Sequence, residues 1–101
     1  MLSIEITKNH MLVSSDEGYK NSMKGFIDEL FDMVDDDKYS CSMLMRYQGI
    51  MLFSIASTDK KFEGIYTLSP LELMELINGG KVKLQCFSRK EYEEFVEIIT
   101  K

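Results

Sequence analysis

At 101 residues the chain has room for one domain, 1–101, and its 45% hydrophobic and 29% charged residues exclude a disordered tail as the main description. The net charge of -5 argues against broad phosphate-backbone binding, and the twelve bases are scattered, with Lys60-Lys61 and Arg89-Lys90 the only adjacent pairs. No apolar run approaches membrane-spanning length, so neither nucleic acid nor a membrane is expected as a direct partner.

Leu2, Ile4 and Ile6 alternate as a half-buried strand, and Met11-Leu12-Val13 offers it a partner after a turn at Lys8-Asn9-His10. The N-terminus lacks the basic start and apolar run of a signal peptide. Cys41 and Cys86, the only cysteines, fall in apolar, strand-like segments. Buried free thiols and a cytosolic location are therefore expected. Ser14-Ser15-Asp16 supplies N-cap candidates for a first helix over 18–37. Its apolar stripe is Met23, Phe26, Ile27, Leu30, Phe31 and Val34, at the i, i+3, i+4, i+7 spacing of one helix face.

Charge is concentrated at the end of that helix. Asp28 to Asp37 carry six carboxylates and no base, while the other 91 residues hold 11 acids against 12 bases. Asp35-Asp36-Asp37 would lie against the negative end of the helix macrodipole, where each exposed carboxylate costs roughly 0.3–1 kcal/mol. A tract kept against a local cost is a hint of function.

Tyr39 to Tyr47 alternates again, with Tyr39, Cys41, Met43 and Met45 expected on one face. Gln48-Gly49 makes a tight turn into 50–56, whose residues are apolar on both faces, as in a central strand. A polar turn over 57–61 leads to a strand over 62–68, completing an antiparallel meander. Ser69-Pro70-Leu71-Glu72 then places an N-cap Ser, a first-position Pro and a capping-box Glu, and Asn78-Gly79-Gly80 stops that helix. A last strand follows over 81–87. Ser88-Arg89-Lys90-Glu91 repeats the capping box before a final helix with the stripe Tyr92, Phe95, Val96 and Ile99.

Catalytic and metal chemistry find little footing. His10 is the only imidazole and stands in a predicted turn, and one His with two Cys 45 residues apart is no recognisable zinc set. An EF-hand beginning at Asp35 would place Ser40 where Gly is required and Arg46 in place of the closing Glu. Gly79-Gly80-Lys81 follows a helix and precedes a strand, the wrong order for a phosphate loop. No Ser sits in a nucleophile elbow. Met43, Met45 and Met51 read as core, and Glu93, Glu94 and Glu97 as a solvated helix face. No catalytic residue, metal ligand or cofactor is assigned.

The acid-bearing helix that opens at Tyr19-Lys20-Asn21-Ser22 and leads into the meander resembles the small immunity proteins of bacterial contact-dependent growth inhibition, over about residues 19–68. That resemblance implies a non-enzymatic inhibitor that caps a toxin. Ile65-Tyr66-Thr67-Leu68-Ser69 through Gly80-Lys81-Val82 is similar to the C-terminal half of viral ring nucleases, which degrade cyclic oligoadenylate. That family relies on an internal histidine, and this chain has none after His10.

The expected fold is α+β: an antiparallel sheet of five or six strands with one long and two shorter helices, mainly on one face. The expected function is non-catalytic inhibition of another protein, either toxin immunity or phage counter-defence. Asp28, Asp32, Asp35, Asp36 and Asp37 would dock on a basic surface such as that of a nuclease toxin or defence nuclease, with Tyr39 and Tyr47 as anchors. The alternatives are a cyclic-oligonucleotide-binding or ring-nuclease-like enzyme, and a homo-oligomeric subunit using a strand edge or its methionines.

Overall fold

The computed structural model describes residues 2–15 and 22–100. In chain order its elements are β1 (Leu2–Ile6), β2 (His10–Ser15), α1 (Met23–Val34), β3 (Tyr39–Tyr47), β4 (Ile50–Ser57), β5 (Glu63–Leu68), α2 (Pro70–Ile77), β6 (Lys81–Gln85) and α3 (Arg89–Ile99). Asp16 and the first helical turn expected over 18–21 lie outside the described residues. Ser14 and Ser15 belong to β2 instead of capping a helix. Ser22 caps α1, its hydroxyl accepting from the Gly25 N–H at 3.1 Å.

The fold is α+β, but the strands form two three-stranded antiparallel sheets, ordered β1-β2-β6 and β3-β4-β5, not one sheet of five or six. The meander 39–68 forms as the sequence predicts, except that a bulge after Met43 turns Met45 to the face opposite Tyr39, Cys41 and Met43. The last strand departs from it and pairs with β2, setting Met11 opposite Leu84 and Val13 opposite Val82. That register puts apolar residues of both strands on one face and leaves Lys81, Lys83 and Gln85 exposed.

Among the described residues the sheets share one hydrogen-bonded rung, where Ile65 and Phe87 exchange N–H···O bonds of 3.0 and 2.7 Å. Beside that rung, side chains fill the gap in place of further ladder bonds. A Cβ on Gly64 would come within 2.7 Å of the Tyr66 hydroxyl and 2.8 Å of Cys86 Sγ.

One core joins the two sheets. Leu2, Met11, Val13, Val82 and Leu84 meet Met51, Phe53, Ile55, Tyr66 and Leu68, closed over by Phe26, Ile27, Leu30 and Val34 of α1 and Leu76 of α2. Each such side chain contributes about 1.5–3 kcal/mol on burial. Both predicted capping boxes form, Ser69 with Glu72 and Ser88 with Glu91. At the end of α2 the Gly80 N–H donates to the Glu75 carbonyl and Gly79 takes φ +80°, a glycine C-cap. Gln48 and Gly49 both take positive φ in the tight turn between β3 and β4.

The helices are not gathered on one face of the meander. Phe31 of α1 meets Phe53 edge-on with centroids 6.1 Å apart, so α1 covers the inner face. On the opposite face Phe95 of α3 meets Tyr47 at 5.6 Å. Leu52 points to that second side, which is why β4 is apolar on both of its faces.

Candidate functional site

Two regions stand out, one acidic and one apolar, on opposite faces of the meander.

The acidic region gathers where α1 ends. The helix stops at Val34, three residues short of the predicted end at 37, and Asp35 is its C-cap, donating its N–H to the Phe31 carbonyl at 2.8 Å. Asp28, Asp32 and Asp35 follow i, i+4 and i+7, so they share one face, and all three are exposed. Asp36 and Asp37 lie in the turn into β3, also exposed. None of the five makes an ion pair among the described residues. Their field reaches inward: the Cys41 thiol is pushed up to about 11, first by burial and then by Asp35 and Asp36.

Asp36 also has structural work. Its carboxylate Oδ1 accepts the N–H groups of Lys38 at 2.7 Å and Tyr39 at 3.1 Å. The Asp37 carbonyl accepts the Thr58 hydroxyl at 2.8 Å, tying the tract to the turn after β4. The dipole cost inferred from the sequence therefore applies to Asp35 but not to the whole triplet.

Tyr39 is half-buried beside Asp36, at a small cleft lined also by Ile4, Ile6 and Met33. Tyr47 is not there. It stands eight residues further along β3, roughly 25 Å away at about 3.3 Å per residue. A bulge between Met43 and Met45 also turns it to the other face, because Met43 sits opposite Phe53 whereas Met45 sits opposite Leu52 and Tyr47 opposite Ile50. The structure thus brings Asp28, Asp32, Asp35, Asp36, Asp37 and Tyr39 together and separates Tyr47 from them. Of the three methionines read as core, Met51 is buried, Met45 is half-buried and Met43 is 40% exposed.

The apolar region is a groove of about 580 Å³ between α3 and the outer face of the meander. Ile50 and Leu52 of β4, Ile65 and Thr67 of β5, and Phe87 form its floor, and Tyr92, Phe95 and Ile98 its wall. No residue of α3 is fully buried, and Ile98 is 71% exposed. The helix is held by its capping box, by the Tyr47–Phe95 contact and by Arg89, whose guanidinium bonds both oxygens of Glu63 at 3.0 and 2.7 Å. That pairing holds the Glu63 carboxyl below the usual range. The sequence reading missed this groove, although apolar residues on both faces of 50–56 required a cover on each side.

His10 opens β2 and its carbonyl accepts the Thr7 N–H and hydroxyl at 2.9 and 3.0 Å. Among the described residues no group of three or more His, Cys, Asp or Glu is placed to hold a metal ion. Cys41 and Cys86 are both free. Among the described residues no helix is long and apolar enough to cross a membrane. No family model, curated protein or solved structure matches the chain.

Proposed function

We propose that this is a non-catalytic binding protein that occludes a basic surface on another protein through the acidic end of α1. A single observation carries the reading: Asp28, Asp32, Asp35, Asp36 and Asp37 stand exposed together, with no compensating ion pair among the described residues. Such a patch speeds encounter with a basic partner and selects against acidic ones. Met33, 46% exposed, and half-buried Tyr39 would add apolar contact beside the charges. A nuclease, whether toxin or defence enzyme, presents the kind of basic surface required.

Against the cyclic-oligonucleotide alternative weighs the groove itself, since Glu72, Glu91 and Glu94 line it and would repel phosphates. The oligomer reading has one observation in its favour. Among the described residues β3 is a nine-residue edge strand with one unpaired side, carrying exposed Met43.

The test is capture from source-cell lysate at low and high salt, followed by association kinetics with the captured protein. The variant combines Asp35→Asn, Asp36→Asn and Asp37→Asn. The partner should be retained at low salt and released as screening rises, and the triple variant should associate more slowly with a flatter salt dependence. Unchanged kinetics in the triple variant would place the interface elsewhere. Self-association in sedimentation, abolished by a charge at Met43, would favour the oligomer.

A further inference from the structure

We propose that the groove beneath α3 is a binding site for a small organic cation, an apolar ring or chain ending in a protonated amine. This site lies across the meander from the acidic tract and does not depend on the reading of that tract.

Three observations converge on that ligand class. The groove's floor and wall are apolar, and about 580 Å³ falls within the span typical of small-molecule sites, roughly 300–1,000 Å³. Its polar lining is one-signed: Glu72 from the first turn of α2, and Glu91 and Glu94 from α3, with no Lys, Arg or His among the lining residues. Glu72 and Glu91 each commit Oε1 to a capping bond with the backbone N–H of Ser69 or Ser88, at 2.8 and 3.0 Å. Both carboxylates are therefore fixed in place. Four aromatic rings, Tyr47, Phe87, Tyr92 and Phe95, also line the groove and offer faces that attract a cation. One face of Tyr92 is already taken by the Arg89 guanidinium, whose carbon lies 5.7 Å from the ring centroid, so a ligand would meet the other rings or its second face.

Charge favours a small cation over an apolar docking helix: three carboxylates line the groove, and a protonated amine answers them whereas an apolar helix face does not. A ring with a short aminoalkyl chain is also of a size with the groove's volume of about 580 Å³.

Phenylbutylamine, phenylbutanol and phenylbutyrate share one shape and differ in charge, which makes them suitable probes. Each is titrated into the full chain while amide NMR shifts are followed. The amine should bind saturably with shifts centred on Ile65, Thr67 and Phe95, at least about fivefold tighter than the alcohol, with the carboxylate weakest. Glu94 takes no part in a capping box, so Glu94→Gln should fold normally, weaken the amine about two- to fivefold and leave the alcohol unchanged. Thr67→Phe, which fills the floor, should abolish both. Equal affinity for amine and alcohol, shifts centred outside the groove, or no saturable shift up to ~5 mM amine would each overturn the proposal.

Discussion

Asp36 and Tyr39 are bonded in both directions: the Asp36 N–H donates to the Tyr39 carbonyl at 3.0 Å, and the Asp36 carboxylate accepts the Tyr39 N–H at 3.1 Å. The pair closes the turn that carries the chain from α1 into β3. An acid that looked gratuitous by charge alone is thus the acceptor on which the start of β3 depends.

Asp36→Ala should therefore destabilise the fold by about 1 kcal/mol, while Asp36→Asn, which keeps an acceptor oxygen, should be near neutral. Asp35→Asn should hold stability or raise it slightly, because it removes a negative charge from a helix C-terminus. Urea denaturation of the three single variants checks the order. If Asp36→Ala is silent, the turn does not depend on that carboxylate.

The capping boxes give a second test. Ser69→Ala and Ser88→Ala should each cost about 0.5–2 kcal/mol. The Ser88 variant should also loosen α3 selectively, since no α3 residue is fully buried. Faster amide exchange confined to 89–99 would show this. Uniform exchange across the chain would mean α3 is no weaker than the core.

Gly64 is required by crowding and not by backbone conformation. Gly64→Ala should cost about 1–3 kcal/mol, as its methyl would meet Tyr66, Cys86 and Phe62 atoms at 2.7–2.9 Å. Adding Cys86→Ala removes one of those contacts and should recover part of the loss. A double-mutant cycle in chemical denaturation measures the coupling, and strict additivity would mean that Sγ does not press on this site.

Tyr66 is fully buried, and its hydroxyl meets no oxygen or nitrogen partner among the described residues, only the weakly bonding Cys86 thiol beside it. Burial drives its ionisation well above the usual tyrosine range. Tyr66→Phe keeps the ring stacked on Phe53, whose centroid is 5.7 Å away, and removes a buried hydroxyl whose one neighbour is a weak thiol partner. Stability should hold or rise by up to about 1 kcal/mol. A clear loss in thermal unfolding would reveal a bond made by that hydroxyl.

Cys41 should be a slow thiol. Raising its pKa from 9.0 to about 11 lowers the thiolate fraction below pH 9 about a hundredfold. Alkylation by iodoacetamide, followed by peptide mapping, should be correspondingly slow, and faster in the Asp35→Asn, Asp36→Asn double variant. Because the folded state holds this proton more tightly, the stability it contributes is present below pH 9 and is lost as pH rises toward 11. Cys41→Ala should flatten that limb of the pH profile.

By itself the sequence determined what depends on neighbours three or four residues apart. The α1 stripe, the two capping boxes, the glycine C-cap after α2 and the Gln48-Gly49 turn are all local arrangements, satisfied within one turn of chain. Asp28, Asp32 and Asp35 were legible for the same reason, since helical spacing places them, whereas Asp36 and Asp37 lie past the helix end in a turn tied to Thr58. Three things had to wait for the tertiary structure. The pairing of β6 with β2 joins strands some 70 residues apart, and an apolar-polar alternation says only that a strand needs a partner. The bulge at Met43–Met45 has no marker in the side-chain pattern, yet with a period of two it reverses every later residue and carries Tyr47 to the far face. The groove follows from both, because it exists only where α3 rests on that face without filling it.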